Sequence, residues 1–184
     1  RTLVPVHLIV KGHVRSLVVD RSILGPVVLQ GGSLADLTLI DSSVQSLGNE
    51  LAMDIATGTV TLERVTVLGP ANVHRIHASN SILDDKLVAE DTQHGCVRFT
   101  AWANGSAIPS PYESVKIDPR AFLFVSRDFS QPEYCQLHDG ANFAIRGGAS
   151  GRTISAGSDN GSEMGVFCRE KYPIKERSLL IKLR

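Results

Sequence analysis

Apolar and polar residues alternate in short bursts through the first half of the chain. The bursts fall at Val6, Leu8 and Val10; Leu17 and Val19; Leu37 and Leu39; Val60 and Leu62; and Val97 and Phe99. A period of two with branched side chains marks a half-buried strand, so residues 3–99 read as a run of short strands. Gly25-Pro26, Gly31-Gly32, Gly48-Asn49, Gly58 and Gly69-Pro70 supply turns between them. No window in this half keeps helical spacing.

The strands repeat. Ser22-Ile23-Leu24-Gly25-Pro26 returns as Thr66-Val67-Leu68-Gly69-Pro70, and in shorter form as Ser81-Ile82-Leu83, with Ser43-Val44 between the first two. Leu17-x-Val19, Leu37-x-Leu39 and Val60-x-Leu62 follow one another at 20 and 23 residues. A coil of about 20 to 24 residues suits a parallel β-helix, whose inward aliphatics stack into one core. Ser22, Ser43, Thr66 and Ser81 are expected at one corner, where hydroxyls satisfy backbone groups left by the bend. The step from Thr66 to Ser81 is only 15 residues, which implies a lost strand or a misaligned copy. The chain therefore reads as mainly β, a single-stranded parallel β-helix favoured in its right-handed form. A β-sandwich is the alternative, weakened because Asn-Gly hairpin signals occur only at 104–105 and 160–161.

Residues 1–100 are assigned to the coils and 101–184 to an irregular tail. Pro109, Pro111 and Pro119 mark a long excursion, and Ala121–Val125 a buried strand. Gln131–Leu137 reads as a helical turn or two. The glycine- and serine-rich stretch 147–162 reads as a loop or a wrap over the solenoid, and Glu176–Arg184 as a short amphipathic helix capping its open end.

Lysine plus arginine and aspartate plus glutamate number 19 each. The zero net charge leaves no basic excess for nucleic acid. No run is apolar enough for a membrane span. Three widely spaced cysteines do not make a disulfide framework, which points to a reducing, cytoplasmic setting. The chain opens on Arg1-Thr2-Leu3 and stops inside an apparent helix at Leu183-Arg184, and reads as a piece of something longer.

Four stretches carry a resemblance: Arg64–Gly69, Gly95–Phe99, Gln131–Leu137 and Gly161–Phe167. Together they resemble the C-terminal part of large bacterial β-helix proteins of unassigned activity, some encoded near phage-tail-like contractile injection genes. The resemblance spans residues 58–184. It implies a helix continuing past Arg177 and brings no catalytic residues with it.

Several groups invite chemistry. Asp84, Asp85, Glu90 and Asp91, with Lys86 and Arg98 as basic partners, would suit a glycan lyase or hydrolase, or a calcium site, if stacked coils bring them together. The rival is a set of solvated turns. Cys96, Cys135, His138 and Cys168 would form a zinc site if the tail folds back; otherwise they are buried thiols and a surface imidazole. His74 and His77, with His94 and Cys96 on a later coil, are a poorer metal set, since a spacing of three on a strand points the two rings apart. Gly147–Gly151 lacks the Gly-Lys-Ser/Thr ending of a phosphate loop, and Ser150 and Ser155 lie in no Gly-x-Ser-x-Gly elbow. Met164 and Phe167 are expected to pin the tail to the core, with Gly165 allowing close approach and Glu163 a lesser ligand candidate. Trp102 and Tyr112 exposed on one face would mark a glycan-binding module. The leading expectation is a structural module without catalysis or cofactor, acting through protein partners or self-association.

Overall fold

The computed structural model describes residues 5–147 and 157–182. Ser150, Ser155 and most of the glycine- and serine-rich stretch, along with Leu183 and Arg184, lie outside them.

The chain winds as a parallel β-solenoid of about five turns. Its strands are β1 (Leu8–Asp20), β2 (Ile23–Leu24), β3 (Val27–Ile40), β4 (Ser43–Gln45), β5 (Met53–Glu63), β6 (Thr66–Leu68), β7 (Ala71–Ser79), β8 (Ile82–Leu83), β9 (Leu87–Ala89), β10 (Gly95–Arg98), β11 (Ala101–Ala103), β12 (Pro111–Tyr112) and β13 (Val115–Ile117). One sheet runs β1-β3-β5-β7-β10-β12, with β9 also on β7; the other runs β13-β11-β8-β6-β4-β2. All these pairings are parallel, which rules out hairpins and the sandwich. Because β11 and β13 extend the second sheet, the coils continue past residue 100 to Ile117.

The expected columns form in register. Leu17, Leu37, Val60 and Ile76 stack on one another, as do Val19, Leu39, Leu62, Ala78 and Val97. In the second sheet Leu24, Val44, Val67, Leu83 and Trp102 make the facing inner column. Most of these side chains are fully buried, and each such aliphatic contributes roughly 1.5–3 kcal/mol over an exposed one. The short step loses no strand. Where β5 bends through Ala56, Thr57 and Gly58, β7 makes the same corner with His74 alone.

Two of the four expected corner hydroxyls, Ser22 and Ser81, stand at the corner, and the other two are displaced by one residue. Arg21, Asp41, Arg64, Asn80, Phe99 and Glu113 each turn the chain with positive φ, and the residue after each is Ser22, Ser42, Val65, Ser81, Thr100 or Ser114. Each hydroxyl donates to the carbonyl two residues back, as Ser81 Oγ does to Ser79 at 2.7 Å and Thr100 Oγ1 to Arg98 at 2.8 Å. From Ser42 onward it also accepts a backbone N–H from the preceding coil: Ser22 N–H to Ser42 Oγ at 3.0 Å and Val65 N–H to Ser81 Oγ at 3.0 Å. Ser43 and Thr66 stand one place later, and a one-residue slip turns them to the outer face of the second sheet.

That outer face is also buried. The tail lays Leu123, Phe124, Tyr134, Leu137, Ile145 and Met164 over Leu68, Ile82, Ala101 and Ile117 in a second apolar core. Within the tail, Ala121–Val125 forms no strand: Phe124 makes a single bridge to Leu137, while Phe122 and Val125 face outward. Gln131–Leu137 is a set of turns, and a short helix α1 (Phe143–Arg146) follows. The stretch resuming at Gly157 does wrap the solenoid, Asp159 N–H donating to Asn80 Oδ1 at 2.9 Å. A last helix, α2 (Tyr172–Lys182), begins four residues earlier than Glu176 and leaves Tyr172, Lys175 and Leu179 exposed.

Candidate functional site

Asp84 follows Leu83, whose side chain fills the solenoid axis, so the pleat turns Asp84 outward into the column of Leu68 and Ala103. The tail covers it completely. Arg127 answers with a two-pronged ion pair, Nη1 to Oδ2 at 2.6 Å and Nη2 to Oδ1 at 2.7 Å. Burial pushes the Asp84 carboxyl above the ordinary aspartate value, and Arg127 opposes that shift. Asp85, also buried, accepts Arg120 Nε at 2.6 Å and the Lys86 N–H at 2.7 Å. The two carboxylates bolt the tail to the second sheet.

Glu90 and Asp91 belong to a different place. Glu90 meets His74 Nδ1 at 2.9 Å on the surface. Asp91 accepts Arg75 Nε at 2.7 Å and also engages the backbone N–H groups of Gln93 and His94 and the His94 ring. The hydrogen bond from Arg75 is the main reason its carboxyl is held well below the usual range. Arg98 donates to Ser79 Oγ at 2.9 Å. Among the described residues no ion pair joins Lys86 or Arg98 to any of the four carboxylates. The four carboxylates singled out for a glycan reaction are thus divided between a tail clamp and a surface ion cluster, and neither the Lys86 nor the Arg98 side chain joins them.

The sulfur and imidazole candidates are dispersed in the same way. Cys96 is exposed on β10 beside His77, while Cys135 and Cys168 are buried. Burial pushes the Cys135 thiol up to about 12 and raises Cys168 as well, which disfavours the nucleophilic thiolate in both. His138 accepts the Gly140 N–H at 2.9 Å and packs against Phe122. Among the described residues no group of three or more His, Cys, Asp or Glu side chains is placed to hold a metal ion, zinc and calcium alike.

Two features escaped sequence reasoning. Arg120 and Arg127 carry no local signal, since their partners lie 35 and 43 residues away. The second is a tail contact at the corner: Asp41 pairs with Arg64 and, at 3.1 Å, with Arg169 Nε of the tail, and its hydrogen bond raises the Arg64 pKa. The expected anchor of the tail does form. Met164 is buried in the second core with Phe167 packed against it, and a Cβ on Gly165 would meet Thr66 Oγ1 at 2.6 Å. Glu163 is buried beside them.

No known protein family, curated protein or solved structure matches this chain.

Functional weight then falls on the ends of the solenoid. At the far end Trp102 lies in the inner column, half-buried against the core, and Lys116 Nζ sits 4.9 Å from its ring centre. Tyr112 stands away from it at the corner, edge-on to Phe99, so the two rings do not share an exposed face. Pro111 and the short β13 leave little edge to pair with. At the near end Leu8, Val14, Leu17, Val19 and Leu24 complete the core but stay only half-buried, and among the described residues β1 and β2 each pair on one side alone. No helix of the described residues is long and apolar enough to cross a membrane.

Proposed function

We propose that this chain is a structural and docking module of a larger bacterial protein, running no reaction of its own, and that its first coil is where it joins its neighbour. What supports this reading is the unlike construction of the two ends. One carries Trp102 beneath Lys116 and a short proline-bearing edge; the other presents a half-covered apolar column and the long edge of β1. A long strand edge with an apolar flank pairs readily with another strand. The occupant is a further coil of the larger protein, laid down in parallel. Every rung of both sheets is already parallel, and the inner columns need only continue. The resemblance to proteins encoded near phage-tail-like contractile injection genes suits such a stacked, load-sharing role.

Amide hydrogen exchange tests this on the chain alone and on a longer protein that contains it. The edge-facing amides of β1 are expected to exchange quickly in the chain alone and to become protected in the longer protein. Equal exchange in the two, whether fast or slow, overturns the assignment.

A further inference from the structure

We infer that a groove on the outer face of the first sheet binds an extended peptide segment bearing lysine or arginine. The groove has a volume of about 430 Å³. Its floor is one outward column, Ile9, Val28 and Asp54, neighbours in register on β1, β3 and β5. Its wall is an insertion. Between β2 and β3, and again between β6 and β7, the chain turns with only Gly-Pro, at 25–26 and 69–70. Between β4 and β5 the same corner takes residues 46–52, and these bring Glu50 and Leu51 over the column. An insertion confined to one coil of a solenoid rises from one face, and such loops commonly build its binding surface.

The chemistry of the lining selects the ligand. Glu50 and Asp54 place two carboxylates around aliphatic surface from Ile9, Val28 and Leu51. Among the described residues the one basic lining group is His7, whose Nε2 is 3.6 Å from Glu50. Asp54 is exposed and has no ion pair among the described residues. A lysine or arginine side chain matches both features, its methylene stem lying on the aliphatic floor and its charge meeting the carboxylates. Among the described residues no Phe, Tyr or Trp ring lines the groove to give the broad flat platform on which a sugar ring stacks. The site is independent of end-on docking: a coil added against β1 extends the column along the axis and leaves this face open.

Titration calorimetry with defined probes decides the matter. They are a blocked hexapeptide alternating lysine and valine, the same peptide with glutamate for lysine, and a linear glucose hexasaccharide. The lysine peptide is expected to bind and the glutamate peptide not to. The double substitution Glu50→Gln with Asp54→Asn, both at exposed positions, is expected to weaken binding at least about five-fold while the thermal melt stays in place, a loss of roughly 1 kcal/mol at 1.4 kcal/mol per factor of ten. A second variant replacing residues 46–52 with Gly-Pro removes the wall and is expected to abolish binding. Absence of lysine-peptide binding, equal binding of the two peptides, preference for the saccharide, or binding that survives the double substitution overturns the inference.

Discussion

Asp84 shows how one residue can carry the wrong promise. A carboxylate beside a second carboxylate on a β-solenoid suggests acid–base work, yet here it is sealed under the tail and matched by Arg127. A buried pair of this kind gains little over apolar packing, but breaking it strands a charge. Arg127→Met is therefore expected to cost about 3–5 kcal/mol in urea unfolding, whereas Asp84→Leu with Arg127→Met together is expected to come within about 1 kcal/mol of the parent, or above it. The pH dependence follows from the sign of the shift. A carboxyl whose folded pKa lies above its unfolded value binds its proton more tightly when folded, so its ionisation subtracts stability as pH rises between the two values. Removing Arg127 drives Asp84 further up. The deficit of Arg127→Met is thus expected to shrink as pH falls through the range just above the ordinary aspartate value, measured as unfolding free energy against pH. A deficit that is flat with pH would mean that Asp84 is not the stranded group.

At the level of the element, β1, β3 and β5 each carry a positive-φ glycine where the long strand bends, while β7 bends at His74. Gly12 and Gly32 are register partners, both with positive φ. A Cβ on Gly32 would lie 2.0 Å from the Gly12 carbonyl oxygen, while one on Gly12 meets nothing within 4 Å. Gly12→Ala is expected to cost only the left-handed backbone penalty, about 1–2 kcal/mol. Gly32→Ala adds a collision with the coil beneath and is expected to lose at least twice as much, or to fail to fold, as judged by thermal melts of the pair. The short strands of the second sheet carry apolar residues at successive positions, as in Ile23-Leu24, Val67-Leu68 and Ile82-Leu83. Thr66-Val67-Leu68 is buried on both faces, Val67 toward the axis and Leu68 toward the tail, a pattern that parallel strands covered on two sides share.

For the molecule as a whole, the tail acts as a cover more than as a second domain. It closes the outer face of the second sheet through the apolar core around Met164 and fastens it at Asp84, Asp85 and Asp41. A chain ending at Ile117 lays bare Leu68, Ile82, Ala101 and Ile117 as one contiguous patch. It is expected to bind a hydrophobic dye and to elute as oligomers, while the parent does neither. A dye-silent, monomeric truncated chain would show that the tail is dispensable. With that face closed by the chain itself, the partner surfaces we propose are the first coil and the groove walled by residues 46–52.

The solenoid was legible in the sequence because its core is built from a period-two pattern repeated at a nearly constant interval, and Leu17, Leu37 and Val60 stack as that interval requires. The pleat then fixes which side chains face the axis without reference to any distant residue. The corner register was less secure, since Ser42-Ser43 offers two adjacent hydroxyls and only backbone pairing between coils chooses between them. What tertiary structure alone decided was the fate of the charges. Asp84 with Arg127 and Asp41 with Arg169 join residues far apart in the chain, and an ion pair has no periodicity along the sequence from which it could be read. The same holds for the groove, whose floor spans three coils and becomes a surface only when they are stacked.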